Sequence, residues 1–364
     1  MNRLVRYTKR LMRRRFVISA VVAGVIASSF AIADVKPNPT RLKTQSIAIQ
    51  AQSISGFDKV SFGRTKFGAL EWIGGVRLTS TNRSFGGLSG LVVDPDGKKF
   101  VAVSDAGTWL TGTIDRKGLR PVGISSARMG PLLALNGKPL RRGRDRDAEA
   151  VALVSGSIGR GKLLIAFEQN HRIGRFRISK AGLSKPRSYI TPRKPDPSIL
   201  RGKGFEAISI LKGGPHRGSL VAIAERRHNK QGHHSGWIWV RGKPQRFSIR
   251  DLGGHDITDV AALPDGGLLL LERRFRWLEG IRFRIRHVRA NAVRPGALID
   301  GDVLIESDLS QTIDNMEALA VRRDQDGGLI LTVLSDDNFN PVLQQTLLLE
   351  FKWRPTAKQV SLGK

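Results

Sequence analysis

The chain contains no cysteine. A disulfide framework, a thiolate metal site and a cysteine nucleophile are therefore excluded. Acids are scarce: 31 Asp and Glu stand against 61 Lys and Arg, a formal charge of +30. Such an excess attracts anions without saying which ones. Also absent are a Gly-Xaa-Ser-Xaa-Gly elbow, a His-Glu-Xaa-Xaa-His helix and a phosphate-binding glycine loop. Ser89 has no partner base identifiable from sequence, and no stretch after the N-terminal region shows a helical period. What remains is an ordinary globular composition, 40% hydrophobic and 25% charged over 364 residues. That is enough for one large domain or two of common size.

The N-terminal 33 residues read as an address. Arg3, Arg6, Lys9, Arg10, Arg13, Arg14 and Arg15 precede an apolar run over 16–33 that ends in Ala31-Ile32-Ala33. A basic, then apolar, then small-residue order is the layout of a secretory signal. Arg13-Arg14-Arg15-Phe16-Val17 further resembles a twin-arginine signal. The alternative is an N-terminal membrane anchor, since about 18 apolar residues is the lower limit for spanning. Removing 1–33 takes away seven positive charges and no acid, leaving +23. The expected division is signal 1–33, linker 34–46, folded domain 47–354 and tail 355–364. The mature protein is expected in the periplasm or secreted, with no stable membrane span.

The rest is a tandem repeat. Taking Ser89, Glu149, Glu206, Asp259 and Glu317 as equivalent points, the spacings are 60, 57, 53 and 58 residues. Each unit has two apolar runs, in most units around a turn: Asp96-Gly97, Gly213-Gly214, Asp265-Gly266 or Asp326-Gly327. Glycine there accepts the positive φ of a tight hairpin. The runs are continuous rather than alternating, so both faces are covered. Third strands are expected at 172–178, 236–240, 281–288 and 346–353. In Ile281-Arg-Phe-Arg-Ile-Arg286 apolar residues alternate with arginine, which reads as a strand with one wet face. Tandem antiparallel units buried on both faces make an all-β protein, a β-propeller, in preference to a sandwich array. Five repeats are visible. The segment 47–80 supplies either a sixth blade, the reading favoured on sequence, or the strand that closes the ring against residues 346–353.

Acids recur at fixed places. Glu149, Glu206, Asp259 and Glu317 begin first strands. Asp105, Glu168, Glu225, Glu272 and Asp336 end second strands, with Asp337 adjacent. The start of one strand and the end of its hairpin partner share an edge, so these acids are expected on one rim at the channel mouth. Converging carboxylates repel unless neutralised. Oxygen-only sites of this kind suit Ca²⁺; the alternative is pairing with neighbouring arginines or turn capping. Bases follow closely: His171 and Arg172, Arg226, and Arg273. With the acids they would hold a cation and an anionic substrate together, or bridge blades as salt bridges. His228, His233 and His234 form either a transition-metal loop or a solvated one. The solvated reading is preferred because no helical spacing organises them.

Gly86-Gly87-Leu88-Ser89-Gly90, Asp147-Ala148-Glu149-Ala150, Phe205-Glu206-Ala207, Asp314-Asn315-Met316-Glu317-Ala318 and Ser335-Asp336-Asp337-Asn338-Phe339 resemble the phytase-like family, also described as having esterase-like activity of phytase. The resemblance runs from about Phe85 to Trp353 and implies a β-propeller with ester or phosphoester hydrolase activity. The expected function is an exported, calcium-assisted hydrolase. Asp105, Glu149, Glu168, Glu206, Glu225, Asp259, Glu272, Glu317, Asp336 and Asp337 would be metal ligands. Glu206, His171, Arg172, Arg226 and Arg273 would act on a small anionic ester or phosphoester. The competing expectation is a non-catalytic periplasmic propeller for an anionic envelope ligand. A monomer that binds no nucleic acid is expected in either case. A twin-arginine route predicts that changing Arg13 and Arg14 to Lys traps an uncleaved precursor in the cytoplasm; unimpaired export, read by fractionation and N-terminal sequencing, would exclude that route.

Overall fold

Gly97, Gly214, Gly266 and Gly327 adopt φ of +75°, +68°, +101° and +83°. Each sits in the turn between a first and a second strand, where a side chain at positive φ would be strained. These hairpins seed four of five sheets, antiparallel but for one outer parallel pair, in a computed structural model that describes residues 37–191 and 204–356, side chains excepted at 225–227. The leader at 1–33 and the tail beyond 356 lie outside the described residues, as do the side chains of Glu225 and Arg226. Among the described residues no helix is long and apolar enough to cross a membrane.

The sheets are five blades. Their innermost strands are Leu88–Val93 in blade I, Ala148–Ser157 in II, Phe205–Ile210 in III, Asp256–Ala262 in IV and Asn315–Arg323 in V. These strands contact one another in cyclic order, I to II through to V and back to I. Second strands are Lys99–Ser104, Arg160–Phe167, Leu220–His228, Leu268–Arg276 and Leu329–Asp336, and third strands pair outside them. The apolar residues fall into five cores, each drawn from two neighbouring blades. The core between III and IV, for example, joins Ile223 and Ile238 to Val260 and Leu270. Shared cores explain strands that are apolar on both faces.

The sixth blade favoured on sequence does not form. Residues 47–80 supply outer strands only: Gln50–Ser53 pairs with Leu70–Thr79, which pairs antiparallel with Thr346–Trp353 in blade V. Its register runs from Trp353 opposite Leu70 to Thr346 opposite Leu78. Blade V is thus built from both ends of the domain, and the ring has no open edge there.

The arginine strand also departs from its sequence reading. In Gly280–Val288, Arg284 and Arg286 are 5% and 0% exposed. Both grip Glu272, itself 0% exposed, from the adjacent second strand. Arg284 Nε donates to Oε2 at 2.7 Å and Arg286 Nε to Oε1 at 2.8 Å. The same guanidinium groups donate to the carbonyls of Leu252 and Arg250 at 2.7 and 3.0 Å. The polar face of this strand is therefore an internal ionic clamp that holds loop 250–252. Removing one partner of a buried ion cluster leaves charge uncompensated. Glu272→Ala should cost about 3–5 kcal/mol in urea denaturation; a loss below about 1 kcal/mol, the usual range of a surface pair, would contradict the clamp.

Candidate functional site

Every inner strand carries a β-bulge near its start, and the bulged residues are equivalent. Pairing skips Ser89 in blade I, Glu149 in II, Glu206 in III, Thr258 in IV and Glu317 in V. A bulge inserts one unpaired residue and re-aims its side chain. Three blades use that position for a glutamate and two for a hydroxyl. The true counterpart in blade IV is Thr258, one residue before the Asp259 expected from sequence. Asp259 instead serves the ring: its Oδ1 accepts from Val260 N at 2.7 Å and its Oδ2 from Leu319 N, in blade V, at 2.7 Å. Thr258 Oγ1 donates to Met316 O, also in V, at 3.0 Å.

The ends of the second strands bring further acids to the same edge. Leu88 pairs with Ser104, Ala148 with Phe167 and Asn315 with Asp336, so Asp105, Glu168, Asp336 and Asp337 lie at or just beyond the bulged end of each hairpin. Asp147, Glu149 and Glu168 each place one carboxylate oxygen within 4.8 Å of the others. Burial pushes Glu149 well above the usual carboxylate range, reinforced in turn by the charges of Asp147, Asp105, Glu317 and Glu168. Burial does the same to Asp336, followed by Asp105; a hydrogen bond from Asn338 N opposes the shift, and Glu317 and Asp337 add to it. Asp259 is raised by burial and, after its two opposing backbone bonds, by Glu317. The acids of blades I, II and V thus form one electrostatic group that reaches IV through Glu317 and Asp259.

The wall between blades V and I is a strained turn. Asn338 and Phe339 adopt φ of +47° and +55°. Asp336 Oδ1 accepts from Asn338 N at 2.7 Å, while Asp337 Oδ1 accepts from Phe339 N at 3.1 Å and Gly87 N at 3.0 Å. A Cβ on Gly87 would lie 2.3 Å from both Asp105 Oδ1 and the Phe339 ring, so glycine is required for this close approach.

Among the expected ligands, Asp105, Glu149, Glu168, Glu317, Asp336 and Asp337 are brought together. Glu206 occupies the equivalent bulge in blade III. Glu272 does not join them, being held between Arg284 and Arg286. Arg273 Nε lies 3.2 Å from Glu317 Oε1, so one base does meet the acids. Arg172 is committed to packing: its guanidinium lies 4.0 Å over the Phe167 ring and 5.1 Å over Tyr189, and it donates to the carbonyls of Asn170 and Asp145. His171 sits against Gly204, and its buried Nδ1 has no hydrogen-bond partner among the described residues. Asp147 was not anticipated. Its sequence signals were its place in the Asp147-Ala148-Glu149-Ala150 motif and its position two residues before Glu149, held by Gly87, Gly204, Asp256 and Asn315 in the other units. Inward of the acids the ring encloses a cavity of about 280 Å³, lined by Leu91, Val151, Ile208, Val260 and Leu319, one from each blade.

A ring of five blades with a carboxylate mouth over an apolar throat defines the class. The phytase-like family, described as esterase-like activity of phytase, matches residues 83–339. This chain belongs to that family. No curated protein matches it. Among solved structures, hydrazine synthase of Kuenenia stuttgartiensis is similar at 14% identity over 74% of each chain, with a TM-score of 0.36. The five-bladed assignment rests on the strand pairing above.

Mutual repulsion has a consequence for stability. A carboxyl whose folded pKa is raised keeps its proton to higher pH than in the unfolded chain. Folded protein then binds more protons, and stability falls as pH rises from the ordinary carboxylate range through the raised value. Glu149→Gln removes one such group. In cation-free protein at about pH 7.5 it should raise stability by on the order of 1 kcal/mol, and the gain should vanish toward pH 4. Equal melting of variant and parent at the higher pH would contradict a carboxyl destabilised by burial and by its neighbours' charges.

Proposed function

We propose that this protein is an exported hydrolase of a small anionic ester or phosphoester, in which the acid rim holds Ca²⁺. The observation that carries this reading is the repeated bulge, which presents Glu149 and Glu317 beside Asp105, Asp147, Glu168, Asp336 and Asp337, with Glu206 at the equivalent position in blade III. The donor set fits the ion: it is all oxygen, carries several charges and comes from several blades, as a six- to eight-coordinate cation requires. The raised pKa values of Glu149 and Asp336, caused by burial and then by neighbouring carboxylates, support a cation there.

Glu149, Glu168, Glu317 and Asp336 would be ligands, with Asp105, Asp147 and Asp337 around them. Calcium, when bound, would polarise the ester oxygen and offset charge in the transition state. Glu206 is suited to orient water as a base, since a carboxylate at a rim can take a proton at hydrogen-bond distance. Arg273, fixed by Glu317, is positioned to meet an anionic oxygen, and His171 offers a second polar group. Asn338 and Phe339 wall one side.

The Arg273–Glu317 pair also favours a second reading, a non-catalytic propeller whose rim is neutralised by its own arginine. Calcium separates the two. A ligand bound only by folded protein stabilises it by about 2.7 kcal/mol at one hundred times Kd, so the melting temperature should climb by several degrees. Glu149→Gln should weaken that response, and hydrolysis of an ester and phosphoester panel should be lost with chelator. Melting indifferent to both Ca²⁺ and chelator would overturn the calcium reading. That same indifference would decide for the arginine-neutralised propeller, whereas a calcium response without hydrolysis would overturn the hydrolase reading and leave the cation site standing.

A further inference from the structure

His233 lies in the largely exposed turn 229–233, as the solvated reading expects, but His228 and His234 flank that turn on strands and His234 is buried. They end the second strand and begin the third strand of blade III, directly opposite one another in register. Their rings lie 4.5 Å apart, centroid to centroid. The loop between them is closed by its own hydrogen bonds. Asn229 N donates to His233 O at 2.7 Å, and Asn229 Oδ1 accepts from Gln231 N and His233 N at 2.9 and 3.0 Å. Gly232 takes the positive φ, +78°, that the turn requires. The Asn229 amide is tied in turn to Ser248 Oγ at 3.1 Å, on the fourth strand.

That fourth strand delivers an acid to the same point. His234 pairs with Ile249, and Asp251 follows two residues later. Asp251 Oδ1 accepts from Gly254 N at 2.9 Å, which leaves Oδ2 directed at His228 Nε2, 3.9 Å away. Arg286 and Arg284 hold the carbonyls of Arg250 and Leu252 on either side of it. One ligand atom from each of His228, His234 and Asp251 lies within 4.8 Å of the others. His234 is 0% exposed, while the side chains of His228 and Asp251 are 36% and 26% exposed.

We propose that His228, His234 and Asp251 form a binding site for a divalent transition cation, Zn²⁺ foremost, separate from the acid rim. Two imidazoles with one carboxylate suit zinc, whereas calcium takes oxygen ligands. Tetrahedral zinc, with bonds of about 2.0–2.1 Å, sets its ligand atoms about 3.3 Å apart. The 3.9 Å between His228 and Asp251 is too long for a good hydrogen bond and needs only a small inward movement to reach that spacing. Two ligands come from adjacent strands, braced by a closed turn, and the third from the loop after the fourth strand, braced by a buried ionic clamp. The residual fourth position is left for water or an anionic ligand.

The test uses tag-free protein, stripped with chelator and titrated calorimetrically with ZnCl₂ in excess Ca²⁺. One zinc per chain is expected. His228→Ala and Asp251→Asn should each weaken it by at least about 10- to 100-fold. His228 is partly exposed, and Asn at 251 keeps an oxygen for Gly254 N, so both variants should melt with the parent when metal-free. Their calcium response should be unchanged, and Glu149→Gln should leave zinc binding intact. No zinc uptake, or uptake indifferent to both variants, would overturn the site. Zinc lost instead in Glu149→Gln would assign it to the rim and overturn it equally. Failure of the calcium reading changes none of these outcomes.

Discussion

No blade of this protein can bury its own faces. Each sheet is apolar on both sides, and each of the five cores lies between two sheets. A linear stack of such sheets would leave two apolar faces in water; a ring leaves none. Closure is therefore the constraint on which the rest depends. The pairing of Leu70–Thr79 with Thr346–Trp353 meets it by making one blade from both ends of the domain. Polar staples across the seams restrict the blades to one relative position. Asp94 accepts from Ile158 N between I and II, Ser209 from Ala262 N between III and IV, and Asp337 from Gly87 N between V and I. Arg116 reaches the buried Glu350 across the closing seam.

Closure is also what assembles the rim. A single bulged glutamate on an isolated hairpin would be an exposed side chain with an ordinary pKa. Five bulges in a ring bring side chains from different blades to one mouth, and burial then costs each carboxylate part of its hydration. Close packing of the ring and repulsion at its mouth act against each other. The bulged glutamates are tolerable because the cores supply far more stabilisation than the repulsion removes.

The architecture was legible because hairpin chemistry is local. Asp-Gly turns, continuous apolar runs and a period near 57 residues identify blades without long-range information. The blade count was not legible, because residues 47–80 carry apolar runs like any blade. What they lack is an inner strand, and that is a property of position. At the site, the equivalence of Glu149, Glu206 and Glu317 could be read from spacing. The substitution of Thr258 for Asp259 at the fourth bulge could not, since a one-residue slip leaves the period almost unchanged. Ile281–Arg286 taught a different lesson. Alternation separates two faces of a strand but does not say which faces water; Glu272 opposite Arg284 decides that, and register decides who is opposite. Likewise His228 and His234 meet only because five residues between them close into a turn, and Asp251 arrives from the loop after the fourth strand.

Charge distribution ties these features together. The chain carries +30 overall, yet Asp105, Asp147, Glu149, Glu168, Glu317, Asp336 and Asp337 gather at one mouth of the channel. The cavity wall toward the opposite end carries Lys212, Arg322 and Arg323, next to turn residues such as Pro95 and Pro264. At distances beyond about 8–10 Å, salt screens individual contacts and the net positive field dominates the encounter. An anion is therefore drawn to the protein as a whole and repelled only in its last few ångströms, by the rim itself. A cation among the carboxylates would reverse that local sign while leaving the long-range attraction in place. On this electrostatic ground, cation and anionic ligand would bind with positive coupling, each raising the affinity for the other.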